Sequence, residues 1–368
     1  MRILFICPYP IGEAPSQRFR FEQYFVLLNQ QQITYRVQSF LTTDNWRIFY
    51  ERGKPIQKIL ALIAGYVKRI LLLFSIHQFG FVFIHRESTP LGPPFFEWVL
   101  AKIFRKKIVY DFDDAIWLTD QPDASVFIKI LKWRSKVSTI CRLSYRVSAG
   151  NEYLSNYAAR YAGTVIYNPS TLDVDHLHNP ELHTPIKDAN RVVIGWTGSH
   201  STMKYLESIE DELIELEQKF PQLLLLVISN QRPKLRLKNL RFLPWSLETE
   251  IEGLMHADIG IMPMPDDDWA KGKCGFKALQ YMALQIPAVV SAVGSNKFIV
   301  AHGDDGFLCY TRQDWVNFLS QLISDSDLRT QIGKKGREKI LKQFSVESNQ
   351  DNFLSLFGFP RSTRANAK

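Results

Sequence analysis

The stretch Lys271-Gly272-Lys273-Cys274-Gly275-Phe276-Lys277-Ala278-Leu279-Gln280-Tyr281-Met282-Ala283 is followed by Pro287 and a short apolar run, Ala288 to Val290. Phe276, Leu279, Met282, Ala283 and Ile286 recur at helical spacing, so a helix is expected from near Gly275, ending before a strand that follows Pro287. Lys271, Lys273 and Lys277 crowd its start. A helix N-terminus already carries about half a positive charge and unpaired N–H groups, so lysine there is unfavourable unless an anion is held. Gly272 and Gly275 let a ligand approach the backbone closely, which suits a phosphate or diphosphate bound by amides and ammonium groups. A solvated basic helix start is the other reading of the same residues.

Outward from that stretch the chain alternates strand-like and helix-like segments, the pattern of parallel sheets with helices on their faces. Short runs rich in β-branched or aromatic residues lie at Arg2 to Cys7, Thr34 to Phe40, Phe81 to His85, Lys107 to Phe112, Tyr145 to Ala149 and Thr164 to Tyr167. From Asn168 to Asn190 the composition turns to Pro, Asp, His and Asn, as expected of a linker. A second series follows, with strands expected at Val192 to Trp196, Leu223 to Ser229, Leu240 to Leu243, Asp258 to Met262, Ala288 to Ser291 and Gly306 to Cys309. Thr202 to Phe220 reads as one amphipathic helix and Glu250 to Met255 as a short one without chemistry.

Length and composition agree with two folded α/β units. At 368 residues the chain exceeds one ordinary core, and 46% apolar with 22% charged residues marks a globular protein. A net charge of +8 favours acidic partners, yet no basic stripe with interleaved stacking aromatics supports nucleic acid. Cys7, Cys141, Cys274 and Cys309 are scattered, and His176, His178 and His183 lie in the linker, so neither a disulfide framework nor a metal site is expected. The apolar start Ile3 to Cys7 is too short for a signal peptide, and a cytoplasmic location fits.

The longest apolar stretch, Ile59 to Ile76, has Lys68 and Arg69 at its middle and reads as a buried or interfacial helix. Cations gather at Lys102, Arg105, Lys106 and Lys107, and at Lys129, Lys132, Arg134 and Lys136 beside Trp133. They suit an anionic membrane surface and a peripheral position at its inner face, or else are solvated helix faces.

In open α/β sheets ligands bind at the carboxyl ends of strands. Gly12, Arg18, His85, Arg86, Asp111, Asp113 and Asp114 follow strands of the first series; Gly198, Ser199 and Trp245 follow strands of the second. Asp111 and Asp113 are the catalytic candidates, Asp113 as a proton acceptor if its pKa is raised. The alternative is that one of the three aspartates caps a helix and another braces Arg18 or Arg86.

The helix Phe276 to Ala283, the preceding Ala257 to Pro263, the Tyr167-Asn168-Pro169 turn and Phe344-Ser345 before a last helix, Val346 to Phe357, resemble family-4 glycosyltransferases. The resemblance covers nearly the whole chain. It implies the GT-B fold, with two Rossmann-like domains whose parallel sheets face a central cleft. Expected boundaries are 1–170 on the acceptor side, a linker at 171–190, the nucleotide-sugar domain at 191–344, a crossing helix at 345–357 and a tail at 358–368. It further implies retaining, metal-independent transfer of a hexosyl or related sugar from a UDP- or GDP-linked donor to a glycan or lipid-linked acceptor, with no cofactor. Donor contacts are then expected from Gly198, Ser199, Lys273, Cys274, Gly275, Phe276, Lys277, Gln280 and Trp245, and cleft contacts from Gly12, Arg18, His85 and Arg86. Relatives often carry two glutamates where this chain has Gly272 and Gln280, which keeps open a non-catalytic GT-B protein binding a glycan or a partner enzyme.

Overall fold

The computed structural model describes residues 1–51, 53–118, 131–185 and 187–360. Lys129 and the expected tail residues from 361 to 368 lie outside the described residues. The chain divides into two compact units: one begins at Met1, runs to Ser170 and resumes at Asn349; the other is Thr171–Ser348.

The first unit contains β1 (Arg2–Cys7), α1 (Pro15–Arg20), α2 (Phe25–Gln30), β2 (Thr34–Ser39), α3 (Thr43–Tyr50), α4 (Pro55–Leu73), β3 (Phe81–His85) and α5 (Phe95–Trp98), which continues as a π-helical turn, Val99–Ile103. It goes on through β4 (Lys107–Phe112), α6 (Lys136–Leu143), β5 (Arg146–Ala149), α7 (Glu152–Ala159) and β6 (Val165–Tyr167). Its sheet is parallel throughout, in the order β2-β1-β3-β4-β5-β6. Burial on both faces explains why β1 and β3 are nearly all apolar. Right-handed crossovers put α4 and α5 on one face and α1 with α2 on the other.

The second unit carries β7 (Val192–Gly198), α8 (Met203–Glu207), α9 (Glu210–Lys219), β8 (Leu223–Ser229), β9 (Leu240–Pro244), α10 (Glu250–Met255) and β10 (Ile259–Met262). Then come α11 (Asp268–Lys271), α12 (Phe276–Ala283), β11 (Ala288–Ser291), α13 (Asn296–Ile299), β12 (Gly306–Cys309), α14 (Arg312–Ser324) and α15 (Ser326–Gln343). The sheet is again parallel, β12-β11-β10-β7-β8-β9. The last helix, α16 (Val346–Ser355), ends in the first unit, where Phe353 stacks on Tyr24 at 4.0 Å between ring centroids.

Twin six-stranded parallel sheets covered by helices make this the α/β, GT-B architecture expected from the sequence. One helix differs from its reading. Thr202 to Phe220 is broken at Ser208, whose hydroxyl donates to Tyr205 O at 2.7 Å and competes with the helical ladder. The break still lets Leu206, Ile209, Leu213 and Leu216 enter one core.

Candidate functional site

Strand order locates the crevices. In the second unit β7, β8 and β9 run to one side and β10, β11 and β12 to the other, so the topological switch point lies between β7 and β10. Gly198 ends β7, and the chain leaving β10 leads to α12. In the first unit the switch lies between β1 and β3, which places the loop after Cys7 beside His85 and Arg86.

At the β7/β10 switch the helix α12 begins at Phe276, after Gly275 in the left-handed region at φ 67°. A Cβ on Gly275 would lie 2.2 Å from Ile299 Cδ1, so glycine is required for both conformation and space. Gly275, as the N-cap residue, makes no side-chain cap. Lys277, half-buried in its first turn, holds its ammonium 4.8 Å from the Trp196 ring centroid, within cation–π range. Burial first, and then the Lys273 ammonium, push the Lys277 pKa down to about 7. A Cβ on Gly198 would meet the same indole at 2.6 Å. Gly198 is therefore part of the Lys277 seat. The hydroxyl of Tyr281, also on α12, accepts from Thr197 N at 3.2 Å and ties the helix to β7.

The three lysines do not act as one cradle. Lys271 faces Asp266 at 3.5 Å and Asp268 at 3.6 Å, and Coulombic attraction to Asp266 leads the causes that raise its pKa. Asp267 caps α11 by accepting from Ala270 N. Lys273 lies 4.9 Å from the Trp269 ring centroid, and its carbonyl accepts from Ser295 Oγ. Cys274 is buried and Phe276 half-buried in the same segment. Ser199 is exposed, its hydroxyl 2.8 Å from that of Ser201.

Gln280 faces inward. Its amide donates to Glu250 Oε1 at 3.1 Å and lies 3.3 Å from His178 Nε2, with only 2% of the residue exposed. Glu250, expected to have no role, thus holds the residue expected to meet a ribose, and His178 is a buried residue of the unit core. Trp245 stands half-buried at the end of the edge strand β9, one strand removed from β7.

In the first unit, Asp111 is the last but one residue of β4 and has no exposure. Its carboxylate accepts from Arg20, from Ser148 Oγ at 2.6 Å and from His85 Nδ1 at 2.8 Å. Burial alone would raise its pKa, but Arg20 leads the interactions that outweigh it, and the carboxyl is held below its ordinary value. With Nδ1 of His85 donating to Asp111, Nε2 is left to pair with Ser16 Oγ at 2.7 Å. The result is a Ser16, His85, Asp111 chain of hydrogen bonds joining α1, β3 and β4.

Asp113 does not meet the condition set for a base. Burial is outweighed by the Arg86 guanidinium, 2.8 Å away, which holds the Asp113 carboxyl far below the carboxylate range. Arg86 also reaches Asp114 at 2.5 Å, so two of the three aspartates brace this arginine, where the alternative reading had one bracing an arginine and another capping a helix. Asp111 braces Arg20, not Arg18. Arg18 places its guanidinium 4.7 Å from the Phe19 ring centroid. Arg86 has φ 60°, held open by Tyr110 Oη donating to its carbonyl at 2.8 Å. Gly12 has φ 84°, and its N–H donates to Glu22 Oε2, while Gln17 bonds both backbone atoms of Tyr9. Sequence reading missed Ser16 and Glu22, whose partners become apparent only in the fold.

An apolar cavity of about 300 Å³ opens beside this loop between Tyr9, Phe40, Trp46, Leu62 and Pro90, with Glu87 at its polar side.

Residues 191–325, within the second unit, match the family model of group 1 glycosyl transferases. A curated relative, the N-acetyl-alpha-D-glucosaminyl L-malate synthase of Bacillus anthracis, is 27% identical over 89 residues; the match spans 24% of this chain and 23% of that protein. The sucrose-phosphate synthase of Thermosynechococcus elongatus has a TM-score of 0.68 at 14% identity, covering 97% of this chain and 98% of that one. HepE of Anabaena, solved in complex with UDP and glucose, has a TM-score of 0.63 at 17% identity, covering 98% and 100%. These likenesses give the GT-B fold.

Proposed function

We propose that the chain is a glycosyltransferase that takes a sugar from a nucleoside diphosphate-sugar, UDP- or GDP-linked, and delivers it to a glycan or lipid-linked hydroxyl acceptor. The observation that carries this is the α12 start, with Gly275 in the left-handed region and Lys277 in the first turn, at the β7/β10 switch and inside the segment that matches group 1 glycosyl transferases. First-turn amides, a half-buried ammonium and a glycine that admits close approach suit a diphosphate.

The chemistry follows from charge. Cleaving the sugar–phosphate bond puts negative charge on the departing diphosphate, and preorganised donors there lower the barrier. Amides at Phe276 and Lys277, together with the Lys273 and Lys277 ammonium groups, supply that stabilisation without calling on a metal or cofactor. Lys277 takes up a proton as the diphosphate arrives, since an adjacent anion favours its charged form. We assign acceptor activation to the first unit, where the Ser16, His85, Asp111 chain can take a proton from a sugar hydroxyl. Retention of configuration, a role in surface glycan assembly and a peripheral position on a membrane are part of the same reading.

The test is a panel of UDP- and GDP-sugars scored for thermal stabilisation and hydrolysis. A donor-specific rise in melting temperature with turnover supports transfer, because a ligand of the native state stabilises by mass action. Stabilisation by a glycan with no response to any donor supports the second reading, a non-catalytic GT-B protein, which the inward-facing Gln280 favours.

A further inference from the structure

We infer that α4 lies flat in the surface of an anionic lipid bilayer, its outer face inserted among the acyl chains. This deepens the peripheral membrane element of the reading above and does not need the transfer chemistry to be right.

The helix is built inside out. Its buried positions are Ala61, Gly65, Arg69 and Leu72. Gly65 lets the helix approach so closely that a Cβ would meet the Phe40 ring at 2.5 Å. Arg69 reaches inward to Ser88 O, Gln38 O and Cys7 O at 2.9, 3.0 and 3.0 Å. The large side chains turn outward. Ile56, Ile59, Leu60, Ile63, Ile70 and Leu71 recur at helical spacing and are each between 53% and 71% exposed. Phe74, just past the helix end, is 78% exposed. Over 19 residues such a stripe is roughly 28 Å long, well beyond the scattered apolar residues of an ordinary surface.

A second strip extends it. α5 and its π-helical turn occupy the same face of the sheet and expose Phe95, Trp98 and Ile103. Lys106 Nζ donates to Phe79 O at 2.7 Å, tying the end of this strip to the segment after α4.

Charge selects the occupant. From Pro55 to Ile108 the carboxylates are Glu87 and Glu97 alone, against eight lysines and arginines. Glu97 is buried and Glu87 pairs with Lys136 at 2.6 Å, whereas Lys102, Arg105 and Lys107 are exposed. A cation-rimmed apolar stripe matches anionic headgroups above acyl chains. A second copy of the chain fits poorly, since a two-fold contact would set these cations against their own copies. Among the described residues no helix is long and apolar enough to cross a membrane, so the stripe lies in the interface plane.

The full chain is floated with vesicles of phosphatidylcholine, or of phosphatidylcholine mixed with phosphatidylglycerol, beside the variants Ile59→Glu/Ile63→Glu, Ile59→Ser/Ile63→Ser and Lys102→Glu/Arg105→Glu. All substituted side chains are exposed. Wild type is expected on the mixed vesicles, with partitioning reduced at least about tenfold in each variant and nucleotide-sugar stabilisation in solution unchanged. Flotation of the two apolar-face variants equal to that of wild type, or no flotation of wild type, overturns the proposal. So does a dimer that either of those variants dissociates without changing flotation. Failure of nucleotide-sugar binding alone would instead sink the donor reading.

Discussion

The Lys277 ammonium sits 4.8 Å from the Trp196 ring centroid, and Gly198, two residues further along the same strand, leaves that ring its space. A cation at a helix start with no carboxylate partner among the described residues is an unfavourable arrangement for stability alone. On the proposed reading, stability is given up there for binding. Lys277→Met keeps the length and removes the charge, so the free protein should melt at a higher temperature while nucleotide-sugar affinity falls by about tenfold to a hundredfold. Lower melting with unchanged affinity would assign Lys277 to structure.

Protons should follow the same lysine. Its folded pKa, about 7, is below the ordinary lysine value, so the penalty of its charge is full below pH 7. That penalty fades as pH rises toward about 10.4, where the unfolded chain also loses its proton. Stability should therefore climb with pH across this window in wild type relative to Lys277→Met. UDP binding at pH 8 should take up a proton, read by calorimetry in buffers of different ionisation enthalpy. No buffer dependence would show that the diphosphate does not meet Lys277.

Gln280 tests how far the inward network differs from a pair of glutamates. Gln280→Glu would set a second carboxylate about 3 Å from Glu250 Oε1 in a buried site. Like charges there cost about 1–3 kcal/mol, relieved when one carboxyl is protonated. The variant should thus lose melting temperature at pH 8 and recover most of it near pH 5. An equal loss at both pH values would point to packing.

The Asp111 and Arg20 pair is fully buried, so Asp111→Asn should destabilise by about 3–5 kcal/mol at neutral pH by leaving a guanidinium without its counter-charge. The folded pKa of Asp111 is depressed, so its contribution is present above the unfolded value of about 3.9 and lost as pH falls through the folded one. Thermal midpoints of wild type and variant should converge in acid. A gap that persists at the lowest pH would mean that the hydrogen bonds, not the charge, carry the effect.

Ser16→Ala removes the outer hydroxyl of the proton chain and leaves His85 and Asp111 in place. If that chain accepts the acceptor proton, kcat should fall by about a hundredfold with the nucleotide-sugar dissociation constant unchanged. Equal losses in both would make Ser16 a structural residue.

The strands were legible because buried parallel strands are short apolar runs between turn residues; β3, β4, β8, β11 and β12 occupy the expected positions. The break at Ser208 was not, since apolar spacing continues across it. In α4 the apolar stretch left open whether the helix was buried or interfacial, and the buried Arg69 with Gly65 against Phe40 settles which side meets the core only in the fold. Lys271 carried a local sign of its fate, the i,i+3 spacing to Asp268. Ser16 and His85 are 69 residues apart, and nothing in either neighbourhood announces the contact.

The most direct measurement is the affinity of UDP- and GDP-sugars for wild type, Lys273→Ala and Lys277→Met by calorimetry at fixed ionic strength. Binding of at least one donor by wild type, weakened about tenfold or more by either substitution, is the expected result. Donor binding of equal strength in all three proteins would contradict the assignment of the α12 start to the diphosphate.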